Sequence, residues 1–177
     1  NNGYSSIGVD IRSNCSVVRN LVIKNFWLGG INLDEYGEHG NVIFGNIIVN
    51  NTRGIRIVEG YENYVVGNLI FDNSLFGIVA SPSSINARDN YIFDNFFKNP
   101  LNELVESDWN HWNITRRPET NIINGLYKGG NYWSDYVGED TDGDGLGDTP
   151  HPLRYHPGIA DTDDLPLVDI NPPGYDF

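Results

Sequence analysis

The densest set of metal-type ligands in this sequence is a short acidic loop (residues 140–148), which reads Asp140-Thr-Asp142-Gly-Asp144-Gly-Leu-Gly-Asp148. Carboxylates stand at every second position over its first half, and Gly145 allows the chain to reverse tightly. Ca²⁺ prefers oxygen ligands in a tolerant geometry. We therefore predict a calcium site. Its expected ligands are the side chains of Asp140, Asp142, Asp144 and Asp148 and the carbonyl oxygen of Leu146.

We expect this loop to bind calcium without the helix pair of an EF-hand. Its spacing matches the first half of an EF-hand loop, but position twelve is His151 where a bidentate Glu is expected. Pro150 and Pro152 prevent an exiting helix. The further ligands expected besides water are Asp161, Asp163 and Asp164. The alternative is an ordinary Asp/Gly loop, although carboxylates this close repel one another without a counterion.

A second set of charged side chains is predicted to face outward on successive strands, and it consists of Asp10, Arg12, Asp34 and Arg56. Polysaccharide lyases and glycoside hydrolases use an arginine beside calcium carboxylates or a pair of acids. These residues are therefore candidate catalytic groups. A cross-strand salt-bridge ladder would give the same pattern, and the sequence does not separate the two interpretations.

Exposed aromatic side chains are a third candidate feature, because Trp and Tyr offer apolar faces to sugar rings while keeping a polar edge in water. Trp109 and Trp112 stand in a polar context beside His111 and are the candidate carbohydrate-binding residues. Trp133 is instead expected to be part of a buried plug.

Charge and composition exclude several classes of function. The net charge is −13, and residues 135–177 hold eleven acidic side chains against the single base Arg154. A nucleic-acid partner is therefore not expected, because phosphate binding needs a basic surface. No apolar run is long enough to insert into a membrane. The lone Cys15 allows no internal disulfide.

The elements that must position these residues come from a repeat of about 22 to 24 residues. Its frames are Gly8-Val-Asp-Ile, Gly30-Ile-Asn-Leu, Gly54-Ile-Arg-Ile and Gly77-Ile-Val-Ala. Apolar and polar residues alternate after each glycine, which indicates half-buried strands. The sequence thus predicts an all-β right-handed parallel β-helix.

Asparagines follow each frame in pairs five residues apart, namely Asn20 with Asn25, Asn46 with Asn51, Asn68 with Asn73, and Asn90 with Asn95. We expect equivalent members of these pairs to stack in ladders at the corners of the coils. In the first coil, this alignment places Val17 and Val22 inward.

The chain is expected to have two parts. Residues 1–125 would form the coils, with further coils expected before Asn1. Residues 126–177 lose the strand pattern and become rich in Gly, Asp and Pro. They are predicted to cap the open end of the solenoid, because a last coil otherwise exposes apolar surface.

The end of the chain also resembles a known family. Asn110-His-Trp112-Asn113, the segment Gly129-Gly-Asn-Tyr-Trp-Ser-Asp-Tyr136, the acidic loop, Thr149-Pro150 and Asp164-Leu-Pro-Leu167 resemble the end of NosD-like β-helix proteins. These proteins belong to the wider carbohydrate-binding and sugar-hydrolase (CASH) β-helix group, and they are common in surface proteins of methanogenic archaea.

This resemblance implies a right-handed β-helix, an extracellular or cell-surface location and association with a polysaccharide or cell-surface glycan. The family's acidic loop corresponds to Asp140, Asp142, Asp144 and Asp148. The copper delivery linked to the family's name-giving member is not expected here. The sequence-based expectation is thus a calcium-stabilised module that binds carbohydrate or serves as a structural element, with a polysaccharide-active enzyme as the alternative.

Overall fold

The computed structural model describes residues 6–34, 37–80, 87–106, 109–153 and 161–168. Within these ranges the chain forms eighteen strands and no helix. Three parallel sheets run along the molecule, and consecutive strands of the regular coils lie in different sheets. This arrangement is a β-solenoid of about 4 turns with about 25 residues per turn, so the predicted parallel β-helix is confirmed.

Each sheet takes at most one strand from a coil, so the three sheets have five, four and five strands. The first sheet contains β1 (Ile7–Asp10), β4 (Gly29–Leu33), β7 (Arg53–Ile57), β10 (Phe76–Ala80) and β13 (Leu101–Val105). The second contains β2 (Val17–Arg19), β5 (Val42–Phe44), β8 (Tyr64–Val66) and β11 (Tyr91–Phe93). The third contains β3 (Val22–Lys24), β6 (Ile47–Val49), β9 (Leu69–Phe71), β12 (Phe96–Lys98) and β16 (Tyr132–Trp133).

Two short antiparallel pairs lie beyond the regular coils. They are β14 (Arg117–Pro118) with β15 (Tyr127–Lys128), and β17 (His151–Pro152) with β18 (Thr162–Asp163). The third sheet itself continues into the predicted cap, because β16 pairs parallel with β12. Trp133 of β16 is 2% exposed and stacks on Phe97 at 4.5 Å between ring centroids. The predicted buried plug is thus confirmed.

Columns of apolar side chains fill the interior, because alternate residues of every strand point inward. Ile31, Ile55 and Ile78 pair in register across the first sheet and are fully buried. Corresponding columns run through Ile43, Val65 and Ile92 of the second sheet and through Ile48, Ile70 and Phe97 of the third. Burial of these columns supplies most of the hydrophobic stabilisation of the fold.

Three asparagine ladders follow the corners of the coils, and all their members are buried except the half-buried Asn99. Their members are Asn41, Asn63, Asn90 and Asn110; Asn46, Asn68, Asn95 and Asn131; and Asn51, Asn73, Asn99 and Asn102. Within a ladder, a side-chain amide donates to the side-chain oxygen of the next member and in most members also to a backbone carbonyl, as Asn68 does toward Asn95 and Ile43. The predicted ladders therefore exist, but their alignment differs from the predicted one.

The predicted alignment is wrong in the first and last repeats. Asn20 and Asn25 are exposed turn residues with φ of 57° and 67°, so the left-handed conformation explains their type. The residues predicted to point inward in the first coil are wrong for the same reason. The side chains of Val17 and Val22 face solvent, and these residues are 60% and 61% exposed. Asn90 stacks on Asn63, 27 residues earlier, whereas the preceding step spans 22 residues.

The glycine that opens each frame is required by close packing between coils. A Cβ atom on Gly54 would lie 2.3 Å from the carbonyl oxygen of Gly77, and one on Gly77 would lie 2.6 Å from that of Asn102. No side chain fits at such distances without moving backbone. The repeated glycine is therefore a packing requirement of the stack.

Candidate metal-binding cap and adjoining groove

The acidic loop brings three of its carboxylates together. Oxygen atoms of Asp140, Asp142 and Asp148 all lie within 4.8 Å of one another. Asp142 and Asp148 are exposed and Asp140 is half-buried, so the group faces solvent. Three convergent carboxylates at a tight turn offer hard oxygen ligands to a cation.

Backbone hydrogen bonds give the loop its shape. The two carboxylate oxygens of Asp140 accept hydrogen bonds from the amides of Gly143 and Gly145, each at 2.8 Å. Both glycines have positive φ, of 75° and 86°, which is the conformation that favours glycine. The Asp/Gly alternation thus folds the loop around the carboxylate of its first residue.

Asp148 closes the loop on Thr141. Its carboxylate accepts hydrogen bonds from the hydroxyl of Thr141 and from the amide of the same residue, the latter at 2.8 Å. These bonds, led by that from the hydroxyl, lower the pKa of Asp148 below its ordinary value. The carboxylate therefore stays ionised and able to bind a cation in mildly acidic solution.

Two expected ligands of the loop have other neighbours. The carboxylate of Asp144 forms an ion pair with Arg116 and also accepts a hydrogen bond from the amide of Leu146 at 2.8 Å. Leu146 itself is 3% exposed and pairs with Leu167 in an isolated β-bridge. Neither residue belongs to the three-carboxylate group, so their part in calcium binding stays a prediction.

The three acids suggested as further ligands are likewise outside the metal-type groups of the described residues. Asp161 accepts a hydrogen bond from the indole nitrogen of Trp112 at 2.6 Å. Asp163 is fully buried and accepts from the amide of Asn131 at 2.7 Å and from the indole of Trp133 at 2.9 Å. Asp164 accepts a hydrogen bond from Thr162.

A second group of metal-type ligands was not found from the sequence. Side-chain atoms of Glu103, Asp135 and His151 lie within 4.8 Å of one another. Glu103 is 1% exposed, His151 is 6% exposed, and Asp135 is exposed. The three residues come from β13, from the turn after β16 and from β17, so no local spacing signals the group. We call it the Glu-Asp-His group.

A cavity of about 470 Å³ adjoins both groups. It is lined by Asp135 and His151 of the Glu-Asp-His group and by Thr141 and Asp148 of the acidic loop. Tyr136 forms part of the wall and donates its hydroxyl to the carbonyl oxygen of Thr149 at 2.6 Å. This cap cavity gives solvent access to Asp135 and His151.

The four candidate catalytic residues form a connected polar ladder on the first sheet. Arg12 pairs with Asp10 at 2.7 Å, and Arg56 pairs with Asp34 at 2.5 Å. Asn32 joins the two pairs, because its amide donates to Asp10 and its oxygen accepts from Arg56, both at 3.2 Å. This geometry is the one expected for a cross-strand salt-bridge ladder, which the sequence left open as the alternative to a catalytic site.

The two candidate sugar-binding tryptophans differ in exposure. Trp109 is 64% exposed, as a sugar-stacking side chain requires. Trp112 is 1% exposed and packs at 6.0 Å from Trp133 in the core. The expectation that Trp112 meets a sugar ring is therefore wrong, because its hydrophobic surface is already covered by the cap.

The segment that follows Trp112 instead borders a groove of about 660 Å³ beside the second sheet. We call it the tyrosine groove, and its lining includes Tyr64, Tyr91, Phe93, Thr115, Arg116 and Arg117. Tyr64 and Tyr91 stack at 5.1 Å, and His111 continues the stack at 4.5 Å from Tyr91. Sequence reasoning missed this groove because its two tyrosines are 27 residues apart and meet only through the pairing of β8 with β11.

Arg116 joins the tyrosine groove to the acidic loop. Its guanidinium pairs with Asp144 and lies 4.8 Å from the ring centroid of Tyr127, a cation–π contact. Lys128, the residue after Tyr127, forms ion pairs with Asp94 at 3.0 Å and with Glu119 at 2.8 Å. Burial raises the pKa of Asp94, while Lys128 opposes that rise.

The fold and these sites define a parallel β-helix protein whose C-terminal part carries metal-type ligands. The chain belongs to the family described as periplasmic copper-binding protein (NosD), whose model matches residues 1–138. The family resemblance is thus confirmed, and the chain is a periplasmic or extracellular β-helix module with a structural or binding role.

Searches of curated proteins and of solved structures each found no match. Among the described residues, no helix is long and apolar enough to cross a membrane.

Proposed function

We propose that this β-helix is a calcium-stabilised carbohydrate-binding module of an extracellular or cell-surface protein. The observation that carries the proposal is the tyrosine groove, where aromatic surface and hydrogen-bonding side chains line one open depression. Carbohydrate recognition needs that combination, because sugar rings have apolar faces and a rim of hydroxyl groups.

The chemistry of the groove favours a glycan over a purely apolar ligand. Tyr64 is 41% exposed and keeps its ring at the surface of the second sheet. Asn113, Thr115 and Arg117 offer an amide, a hydroxyl and a guanidinium to sugar hydroxyls along the same wall. The rigid coils hold these side chains in place, which lowers the entropic cost of binding.

Calcium is the ion that best suits the acidic loop. Its three convergent groups are carboxylates with no nitrogen or sulfur ligand among them, and Ca²⁺ prefers oxygen. The ion would be held by Asp140, Asp142 and Asp148, with water completing its shell. It would neutralise repulsion between these carboxylates and so stabilise the cap.

The described residues form no ligand set that selects copper, which the family description names. Copper sites are built mainly from several imidazole, thiolate or thioether ligands. The metal-type groups of the described residues contain one imidazole between them, that of His151. The chain has no Met, and its single Cys15 lies in neither group. We therefore derive no copper chemistry for this chain.

The test is a glycan array probed with the 177-residue chain, followed by titration of the glycan that binds. Tyr64→Ala and Arg117→Ala remove groove side chains that are exposed on the folded protein. We expect each to weaken binding by about tenfold or more, corresponding to about 1.4 kcal/mol. Circular dichroism would verify that both variants keep the fold.

Trp27→Ala is the matched control, because Trp27 is 74% exposed and lines a different groove of about 340 Å³. Unchanged affinity in this variant supports the tyrosine groove. Loss of binding in Trp27→Ala but not in Tyr64→Ala would overturn the assignment. An array on which no glycan binds would overturn the carbohydrate proposal itself.

A further inference from the structure

We infer that the Glu-Asp-His group is a binding site for one divalent transition-metal ion of the zinc class. The ligands are Glu103, Asp135 and His151, and the site is separate from the calcium site proposed for the acidic loop. Its role would be to join the last strand of the first sheet to the cap.

The geometry supplies ligands from three separate segments. Atoms of the three side chains converge to within 4.8 Å, although 48 residues separate the first from the last in the chain. Both Glu103 and His151 are at least nine-tenths buried. Stacking on Trp133, at 5.0 Å between ring centroids, holds the imidazole of His151 in a defined orientation. Preorganised ligands of this kind bind a metal without a large loss of side-chain entropy.

The position of Asp135 is also defined by the fold. One of its carboxylate oxygens accepts a hydrogen bond at 2.6 Å from Asn102, the last member of the third asparagine ladder. A hydrogen bond from an outer residue orients a metal-binding carboxylate in the same way. The ladder thus ends on a residue of the proposed site.

The charge balance of the group also favours a cation. Two carboxylates lie together with an imidazole, and one of the carboxylates belongs to a residue that is 1% exposed. Burying a carboxylate is costly unless positive charge compensates it. A divalent ion bound by a neutral imidazole neutralises both carboxylates, whereas a protonated imidazole neutralises only one.

The donor set selects the class of ion. One imidazole nitrogen with two carboxylate oxygens suits Zn²⁺, which accepts three protein ligands and a water molecule. The cap cavity borders Asp135 and His151 and can supply that water. Ca²⁺ is less suitable because it prefers oxygen ligands alone.

The experiment titrates Zn²⁺ into the tag-free 177-residue chain by calorimetry, with excess Ca²⁺ present to occupy the acidic loop. Asp135→Asn and Glu103→Gln keep side-chain size, and Asp135→Asn also retains an oxygen for Asn102. We expect one Zn²⁺ per wild-type chain and at least about tenfold weaker binding in both variants. The matched control is Asp72→Asn, which removes an exposed carboxylate outside both metal-type groups and should leave Zn²⁺ affinity unchanged.

Co²⁺ gives a second readout, because its visible absorption reports low-coordinate sites with protein ligands. Wild type should show this absorption and Asp135→Asn should lose it. Nuclear magnetic resonance of His151 should show its signals shifting on addition of Zn²⁺.

Zn²⁺ affinity that is the same in wild type and both ligand variants would overturn the inference. A wild-type chain that binds no Zn²⁺ would overturn it as well.

Discussion

Asp163 shows at the scale of one residue how the cap is attached to the coils. It is fully buried, and burial raises its pKa to about 7. Hydrogen bonds from Asn131, Trp133 and Leu165 favour the ionised form and oppose this rise. Because Asn131 is the last member of an asparagine ladder, Asp163 continues that ladder into the cap.

This raised pKa predicts a pH-dependent stability. Between pH about 4 and 7 the folded chain keeps a proton on Asp163 that the unfolded chain has lost. The free energy of unfolding should therefore fall as pH rises through this window, by up to about 1.4 kcal/mol per pH unit, and level off above it. Urea unfolding at a series of pH values measures the effect.

Asp163→Asn should remove this contribution, so the difference between variant and wild type isolates it from other titrating groups. Asp164→Asn is the matched control, because Asp164 is exposed and adjacent. If Asp163→Asn kept the wild-type pH dependence, the buried carboxyl group would not be its source.

The asparagine ladders act at the scale of the element, because they hold successive coils at one spacing. Asn68 is fully buried and accepts hydrogen bonds from both the backbone and the side-chain amide of Asn46, at 3.0 Å each. Its own amide donates to Asn95 and to the carbonyl oxygen of Ile43, both at 2.9 Å. Removing this side chain leaves buried polar groups on both neighbouring coils.

We therefore predict that Asn68→Ala lowers the free energy of unfolding by about 3 kcal/mol, the cost of leaving buried donors and acceptors without partners. Asn113→Ala is the control, because Asn113 is only half-buried and accepts a longer hydrogen bond, of 3.3 Å, from Asp164. Its cost should be well under half as large. Chemical denaturation measures both, and equal losses would contradict the importance assigned to the ladder.

The acidic loop gives a prediction for calcium. Binding to the folded chain alone should stabilise it by about 2.7 kcal/mol when free Ca²⁺ is about 100 times the Kd. Thermal melting with Ca²⁺ and with a chelator measures this as a change in Tm. Asp140→Asn should lose most of the change, because it removes a carboxylate from the three-carboxylate group.

Asp72→Asn is a suitable control for this experiment. Asp72 is an exposed turn residue with φ of 52°, a conformation that Asn also adopts. It removes the same charge outside the loop and should keep the calcium-dependent change in Tm. A Tm that chelation leaves unaltered in wild type would exclude calcium stabilisation.

At the scale of the whole molecule, each coil is stabilised by its neighbours and by the cap. A solenoid of this kind has a stability that is close to a sum of coil and interface contributions. The coils differ in burial: β1 has no fully buried residue, whereas all five residues of β4 are buried. The cap end adds the stacked rings of Phe97, Trp133 and His151.

Hydrogen exchange should therefore be graded along the molecule. In the 177-residue chain, we expect amides of β1, β2 and β3 to open at a lower free energy than those of β6 to β9, because sub-global opening starts where burial is least. Mass spectrometry of exchange at several times measures this order. Equal protection of amides from exchange in all coils would contradict this prediction, because it would mean that the coils unfold as one cooperative unit.

Local pattern in the sequence was sufficient for the architecture. Alternating apolar residues after Gly30, Gly54 and Gly77 predicted stacked parallel strands, because a half-buried strand imposes a period of two wherever it occurs. The asparagine pairs likewise predicted ladders. The Asp/Gly spacing indicated the acidic loop, since its carboxylates meet within one short turn.

The tertiary structure alone decided which residues share a column and a site. Successive members of the first ladder are 22 residues apart from Asn41 to Asn63 but 27 residues apart from Asn63 to Asn90. No local pattern in the sequence shows which coil is the longer one. For the same reason, the sequence did not predict that Glu103 and His151 lie close together. Their proximity depends on how the chain after β16 folds back over β13. Spacing within a coil is a local property of the chain, whereas contact between coils depends on the length of every turn between them.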